Sequence, residues 1–227
     1  MESTAKKIKI VSANFGMENN IDCIDMPQQV GESFYYKTYN YNDNNYPLRD
    51  KSLSPRLKGK IPKMLEWIHD DADYYIWLDS PFEIISDKFI QNTLNAIGDN
   101  DLCLCKHNSV RSSIREELEY MKKEMQFDNG YLISRYSGED MDKQVSIYLE
   151  DKSFTDNNLF EMGFFIYSKK LVENKNYNLM TDWFLHNSLY SIQDQLSIPY
   201  LLHKHNVKYT TFDFNVFSNP DLKYNFK

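Results

Sequence analysis

Six residues, Tyr74 to Asp79 (YYIWLD), constrain this chain more than any others. They form an aromatic and β-branched run that reads as a buried strand and breaks off on a carboxylate, a hydroxyl and a proline, Asp79-Ser80-Pro81. Around it, strand-like and helix-like stretches alternate. Residues 6–16 (KKIKIVSANFG) and 32–41 (ESFYYKTYNY) read as strands, and 40–50 as a polar loop. Residues 58–70 (KGKIPKMLEWIHD) follow as a helix with Pro62 in its first turn, and 86–100 as a helix capped by Ser86 with Phe89, Ile90, Leu94 and Ile97 on one face. Next come a strand at 101–107, helices at 111–127 and 140–154, a strand at 160–169, helices at 179–191 and 191–204, and a last strand at 207–214. Such alternation implies an α/β fold with a mostly parallel central sheet flanked by helices. With no repeat, low-complexity tract or Gly/Ser linker, residues 1–227 are expected to form one domain.

In open α/β sheets, ligands bind beyond the carboxyl ends of the strands. Three expected strands end in polar groups there: Ser12-Ala13-Asn14, Asp79-Ser80 and Lys106-His107-Asn108. Asn, Asp and Ser also simply start turns, but the run before Asp79 is too apolar for a casual surface turn. A lone carboxylate at that place suits a divalent cation, with Ser80 and water adding oxygens. His186, His203 and His205 are candidates for a further ligand, which would favour Mn²⁺ over Ca²⁺. Upstream, Arg56, Lys60 and Lys63 stand at i, i+4 and i+7. They read either as a diphosphate clamp or as a solvated basic face, and Pro62 argues against a helix continuous back to Arg56. Glu161 and Asp194 enter apolar segments and read equally as caps or as active-site acids.

Composition narrows the function. The formal charge of -7 is a poor match to nonspecific nucleic-acid binding. Three cysteines, Cys23, Cys103 and Cys105, make no disulfide framework or zinc ribbon and suit a reducing compartment. The sequence has neither a signal-like opening nor an apolar run long enough to span a membrane, so a soluble, cytoplasmic protein is expected (host cytoplasm if viral). The 17 Tyr and 14 Phe supply core and, for a few, sugar stacking.

Four blocks in order carry a resemblance: SPRLKGKIPKMLEWIHDDADYYIWLDSPFEI, CKHNSVRSSIREELEYM, LFEMGFFIYS and SIQDQLSIPYLLHK. Together they resemble a glycosyltransferase-like family that includes plant mucilage-synthesis proteins. They are also similar to the N-terminal glycosyltransferase domain of a large chlorella-virus protein. The match runs from about Lys9 to His203. The resemblance implies a GT-A fold that binds a nucleotide sugar, most often a UDP-sugar, with Mn²⁺ (or Mg²⁺) as cofactor, and transfer of a hexose or deoxyhexose to a glycan or glycoprotein acceptor, with retention. By the same resemblance, Ala13, Asn14 and Phe15 would hold the base, and Arg56, Lys60 and Lys63 would face the diphosphate. Asp79 would hold the metal, with Ser80 beside it. His107, Arg111 and Glu117 would shape the sugar pocket, and Glu161 and Asp194, the catalytic carboxylates, would bind the sugar or acceptor and position it or stabilise an oxocarbenium-like centre. The chain departs from the pattern at one point: the Asp-x-Asp motif needs a second Asp, and Trp77 and Pro81 stand two residues to either side of Asp79.

Two other functions fit some of these residues. A noncatalytic carbohydrate-binding module would use the many tyrosines and ignore nucleotide and metal. An aspartate-nucleophile phosphotransferase would use Asp79, but that chemistry wants a second Asp where Pro81 stands.

Overall fold

The computed structural model describes residues 5–16, 23–31, 34–46, 53–107, 110–173 and 178–225. In chain order they form β1 (Lys6–Ala13), β2 (Phe34–Tyr41), α1 (Pro55–Leu65), β3 (Tyr74–Leu78), β4 (Phe82–Ile84), α2 (Phe89–Ile97) and β5 (Leu102–Lys106). Then follow α3 (Ile114–Gln126), α4 (Gly130–Tyr136), α5 (Met141–Glu150), β6 (Phe160–Ser168), α6 (Lys169–Glu173), α7 (Leu179–Leu189), α8 (Asp194–His205), β7 (Tyr209–Thr211) and β8 (Leu222–Tyr224). Of the loop expected at 40–50, Asn40 and Tyr41 belong to β2, and 47–50 lie outside the described residues, as do 32–33 of the expected second strand and Asn108.

Six strands form one sheet in the order β2-β1-β3-β6-β5-β7. Only β6 runs antiparallel to its neighbours, β3 and β5, so the sheet is mostly parallel and the expected α/β class holds. Alternate side chains leave opposite faces of each strand, and both faces are covered. Val11, Tyr75, Trp77, Leu104 and Phe165 pack under Met64 of α1, Trp183 of α7 and Leu201 of α8. Ile10, Ile76, Leu78 and Phe164 pack on the other side beneath Phe89 and Leu94 of α2. Cys103 and Cys105 share that second face as free, buried thiols. Double coverage explains why β3 reads as an unbroken apolar run. A third cluster joins α3, α4 and α5 to the start of α8.

Helix α1 begins three residues before the expected 58–70 segment. Ser54 Oγ accepts the N–H of Leu57 at 3.2 Å, and Pro55 occupies the first helical position, where its missing N–H costs nothing. Pro62 therefore lies inside the helix and not in its first turn. The helix is continuous from Arg56 to Lys63 and tightens into a 3-10 turn at Glu66–Ile68. Helix α2 is also shorter than expected. Lys88 stands at its N-cap, and Ser86 Oγ instead accepts the N–H of Lys88 at 3.1 Å. A separate two-stranded sheet pairs β4 with β8. Among the described residues no helix is long and apolar enough to cross a membrane.

Candidate active site

Because β1, β3 and β5 run in the same direction, their carboxyl ends share one edge of the sheet. At β3 the turn is fixed by backbone: Asp79 N–H donates to the Gly163 carbonyl at 2.8 Å, and Phe82 N–H returns to the Asp79 carbonyl at 3.0 Å. Ser80 and Pro81 form the exposed middle of that turn. The turn after β1 meets the start of α1. Gly16 has φ +75, and a Cβ there would lie 2.7 Å from Pro55, so only glycine permits the approach. This brings Ala13, Asn14 and Phe15 beside α1. Phe15 is buried, edge-on to Tyr46 at 6.1 Å, and Asn14 N–H donates to the Tyr41 carbonyl at 2.7 Å.

The centre of the edge is a buried charge cluster. Lys60 and Lys63, one turn apart on α1, both point at Asp194, the first residue of α8. Their Nζ atoms lie 2.6 and 2.7 Å from Asp194 Oδ2. Lys63 also reaches Asp79 Oδ1 at 3.5 Å, and Trp77 Nε1 donates to that same oxygen at 2.6 Å. Burial opposes ionisation of Asp194, yet the two ammonium groups hold its carboxyl well below the usual carboxylate range. Burial, offset only in part by Asp194, pulls Lys60 down to about 8. Lys63 is equally buried, but Asp194 and Asp79 together hold it above its ordinary value. The Asp79 side chain is 40% exposed, against 8% for Asp194, so Asp79 is the carboxylate of this cluster open to a ligand.

A second group continues the edge at β5. Arg111 Nε donates to Glu117 Oε2 at 2.6 Å, and its guanidinium lies 3.3 Å from His107 Nε2 and 3.8 Å over the Tyr120 ring. Gln193 joins the two halves. Its Nε2 donates to Glu117 Oε1 at 3.0 Å, its Oε1 accepts from the Tyr136 hydroxyl at 2.8 Å, and the next residue is Asp194. Glu161, near the start of β6 and opposite Cys105, accepts the N–H of Val216 at 2.9 Å and is 5% exposed.

Asp79, Lys60, Lys63 and Asp194 thus form one cluster, linked through Gln193 to Glu117, Arg111 and His107, whereas Glu161 packs with Val216 and Cys105 on the sheet face beneath α2, and His186, His203 and His205 lie elsewhere. His203 and His205 sit at the far end of α8, about 14 and about 17 Å along the axis from Asp194. His205 pairs with Asp182, and His203 lies 3.0 Å from Ser153 Oγ. His186 stacks on Tyr148, with Nδ1 2.5 Å from its hydroxyl. None of these three contacts involves Asp79. Among the described residues no group of three or more His, Cys, Asp or Glu could hold a metal. Of the cluster's carboxylates, Asp79 is the one exposed enough to offer an oxygen to a divalent cation, which would draw its other oxygens from ligand or water. Two members of the site, Trp77 and Gln193, are not marked by the sequence alone. Trp77 was counted there only as an absent aspartate.

Two solved structures align over most of the chain at low similarity. One is the apo structure of the WbbM bifunctional glycosyltransferase: 11% identity, TM-score 0.44, 93% of this chain and 39% of that one. The other is an active-site mutant of LgtC: 11% identity, TM-score 0.40, 96% of this chain and 87% of that one. The chain therefore spans well under half of the WbbM structure. No curated protein matches the sequence. A family described as TOD1/MUCI70, glycosyltransferase-like domain, matches residues 44–226. That span takes in Asp79, Lys60, Lys63 and Asp194 and leaves Ala13, Asn14 and Phe15 before it. The chain belongs to the TOD1/MUCI70 glycosyltransferase-like domain family.

Proposed function

We propose that the chain transfers a hexose or deoxyhexose from a UDP-sugar to a hydroxyl of a glycan or glycoprotein acceptor, with retention of configuration. The observation that carries this reading is the Lys60–Asp194–Lys63 cluster set against the exposed carboxylate of Asp79 at the sheet edge. Fixed cations beside a departing diphosphate stabilise the charge it develops, and they cost no reorganisation when already held in place. Asp194 is the positioning acid, because it fixes both lysines. Glu161 is a second, holding the backbone of Val216 beside the start of β6. His107 and Arg111, oriented by Glu117, line the sugar side, and Ala13, Asn14 and Phe15 the base side. Ser80 is exposed next to the diphosphate position. A Mn²⁺ or Mg²⁺ ion held at Asp79 would neutralise charge on the leaving nucleotide.

The test is UDP release from a panel of UDP-sugars, with and without Mn²⁺, for the native protein and Asp79→Ala. Mn²⁺-stimulated release that disappears in the variant is expected. Unchanged release in the variant removes Asp79 from the mechanism. Thermal stabilisation by free glycans but not by UDP would instead indicate a noncatalytic carbohydrate-binding module.

A further inference from the structure

Lys60 and Lys63 are both paired with the buried carboxylate of Asp194, which already offsets part of their charge. Two guanidinium groups nearby are less committed. Arg56 Nη1 and Arg135 Nε are both buried and have no hydrogen-bond partner among the described residues. Arg56 lies one helical turn before Lys60 on α1. Arg135 is the penultimate residue of α4, 5.4 Å from the Tyr131 ring and 5.5 Å from the Tyr136 ring, and it donates to the Tyr131 hydroxyl. The two helices meet at this point. Leu57 packs on the cluster that contains Tyr136, and the Tyr136 hydroxyl is bonded to Gln193, the residue before Asp194.

The electrostatics agree with this placement. Arg56 is pulled down first by burial and then by the charge of Arg135. Arg135 is pulled down by burial too, but Tyr136, Tyr131, Asp194 and Asp79 outweigh it. Like charges held together, with desolvated N–H groups, are costly until an anion arrives. A pair of guanidinium forks matches the oxygens of a phosphate or carboxylate.

We propose that Arg135, together with Arg56, binds an oxyanion of the substrate, either a phosphate of the nucleotide diphosphate or the carboxylate of an acidic sugar. The proposal rests on the glycosyltransferase reading above, but its test does not require turnover.

Inorganic pyrophosphate, UDP and glucuronate are titrated calorimetrically into the native protein, Arg135→Gln, Arg135→Lys and Arg56→Gln, with melting temperatures recorded for each. Pyrophosphate and UDP are expected to bind about 10- to 100-fold more weakly to Arg135→Gln and Arg56→Gln, with partial recovery in Arg135→Lys. That result identifies phosphate as the ligand group, and a loss confined to glucuronate identifies a carboxylate. If Arg135→Gln does not fold, Arg135→Lys carries the comparison, because replacing a fork by a point charge still weakens binding at a two-oxygen site. Native binding of the probes that is unchanged for all three in the folded variants overturns this inference alone. A native protein that binds none of the three probes overturns both this inference and the glycosyltransferase reading.

Discussion

Trp77 Nε1 donates a 2.6 Å hydrogen bond to Asp79 Oδ1. The two residues stand two apart at the end of β3, the spacing at which a paired-carboxylate motif places its two acids. Here the first position holds a donor that fixes the second residue's carboxylate. Trp77 is 5% exposed and packs into the core beneath α1 and α7. Restoring the motif with Trp77→Asp therefore inserts a charge among apolar groups, with an expected cost of about 3 kcal/mol or more. Trp77→Phe keeps much of the packing and removes the donor, with an expected loss of about 1–3 kcal/mol. Urea denaturation midpoints of both variants check the ordering, which fails if Trp77→Asp is the more stable.

Asp194→Asn keeps the shape of the triad and removes its negative charge. Two buried ammonium groups are then left facing an amide. Breaking a buried ion pair from one side costs about 3–5 kcal/mol, and this site has two such pairs. The expected result is a large drop in melting temperature, with partial recovery in the double variant Asp194→Asn, Lys60→Met. Additive losses in the double variant would show that the charges do not act as a unit.

The same cluster gives stability a pH signature. Lys60 folds with its pKa lowered by burial to about 8, against 10.5 when unfolded. Between those values the unfolded chain binds a proton that the folded chain has shed, so this group makes stability rise with pH across that window. Lys63, raised by Asp194 and Asp79 against its burial, contributes stability that is present below 10.5 and lost above it. Asp194, held low by the two lysines against its burial, contributes stability that is complete above about pH 4 and lost as acid reaches its folded value. Denaturation at pH 7 to 10 should therefore show native stability rising relative to Lys60→Met. A parallel pair of curves would refute the Lys60 assignment.

Gly163 supplies the carbonyl that holds Asp79, and its missing side chain matters as well. A Cβ there would lie 3.0 Å from Phe82 Cε2 and 3.5 Å from Asp79 Oδ2. Gly163→Ala is expected to displace the Phe82 ring and disturb the Asp79 turn, at a cost of about 1–3 kcal/mol. UDP-sugar turnover should fall more than melting temperature does. Equal activity of the alanine variant would show that the turn has slack.

Much of the sheet was legible because its strands are covered on both faces, which forces apolar runs such as those of β3 and the second half of β6. The three-residue strands β4 and β8 carry no such pattern of their own, whereas β7, equally short, lies within the longer β-branched and aromatic run at 207–214. Helix α4 was hidden for a different reason. It lies between Asn129-Gly130 and Ser137-Gly138, residues that read as turns, although Asn129 caps the helix by accepting the N–H of Leu132. Arg135 was lost with it. Candidate residues were legible one at a time from their positions at strand ends, but their partnerships were not. Lys60 and Asp194 are 134 residues apart in sequence, and no local spacing announces that one neutralises the other. The role of Trp77 was unreadable because an indole in an apolar strand looks like packing until its N–H is given a direction.

The small β4–β8 sheet has a bearing on how the site comes into being. Asn225 N–H donates to the Pro81 carbonyl at 2.8 Å, and Lys223 faces Glu83 across 140 residues of sequence. The turn that carries Asp79 is thus braced by segments made long after it. During synthesis the lysines, the aspartate and their strand would all emerge from the ribosome before that brace exists. A contact of such long range forms late and against a large loop-closure cost. A nascent chain would therefore hold an incompletely braced site until residues 222–225 had emerged and paired with β4.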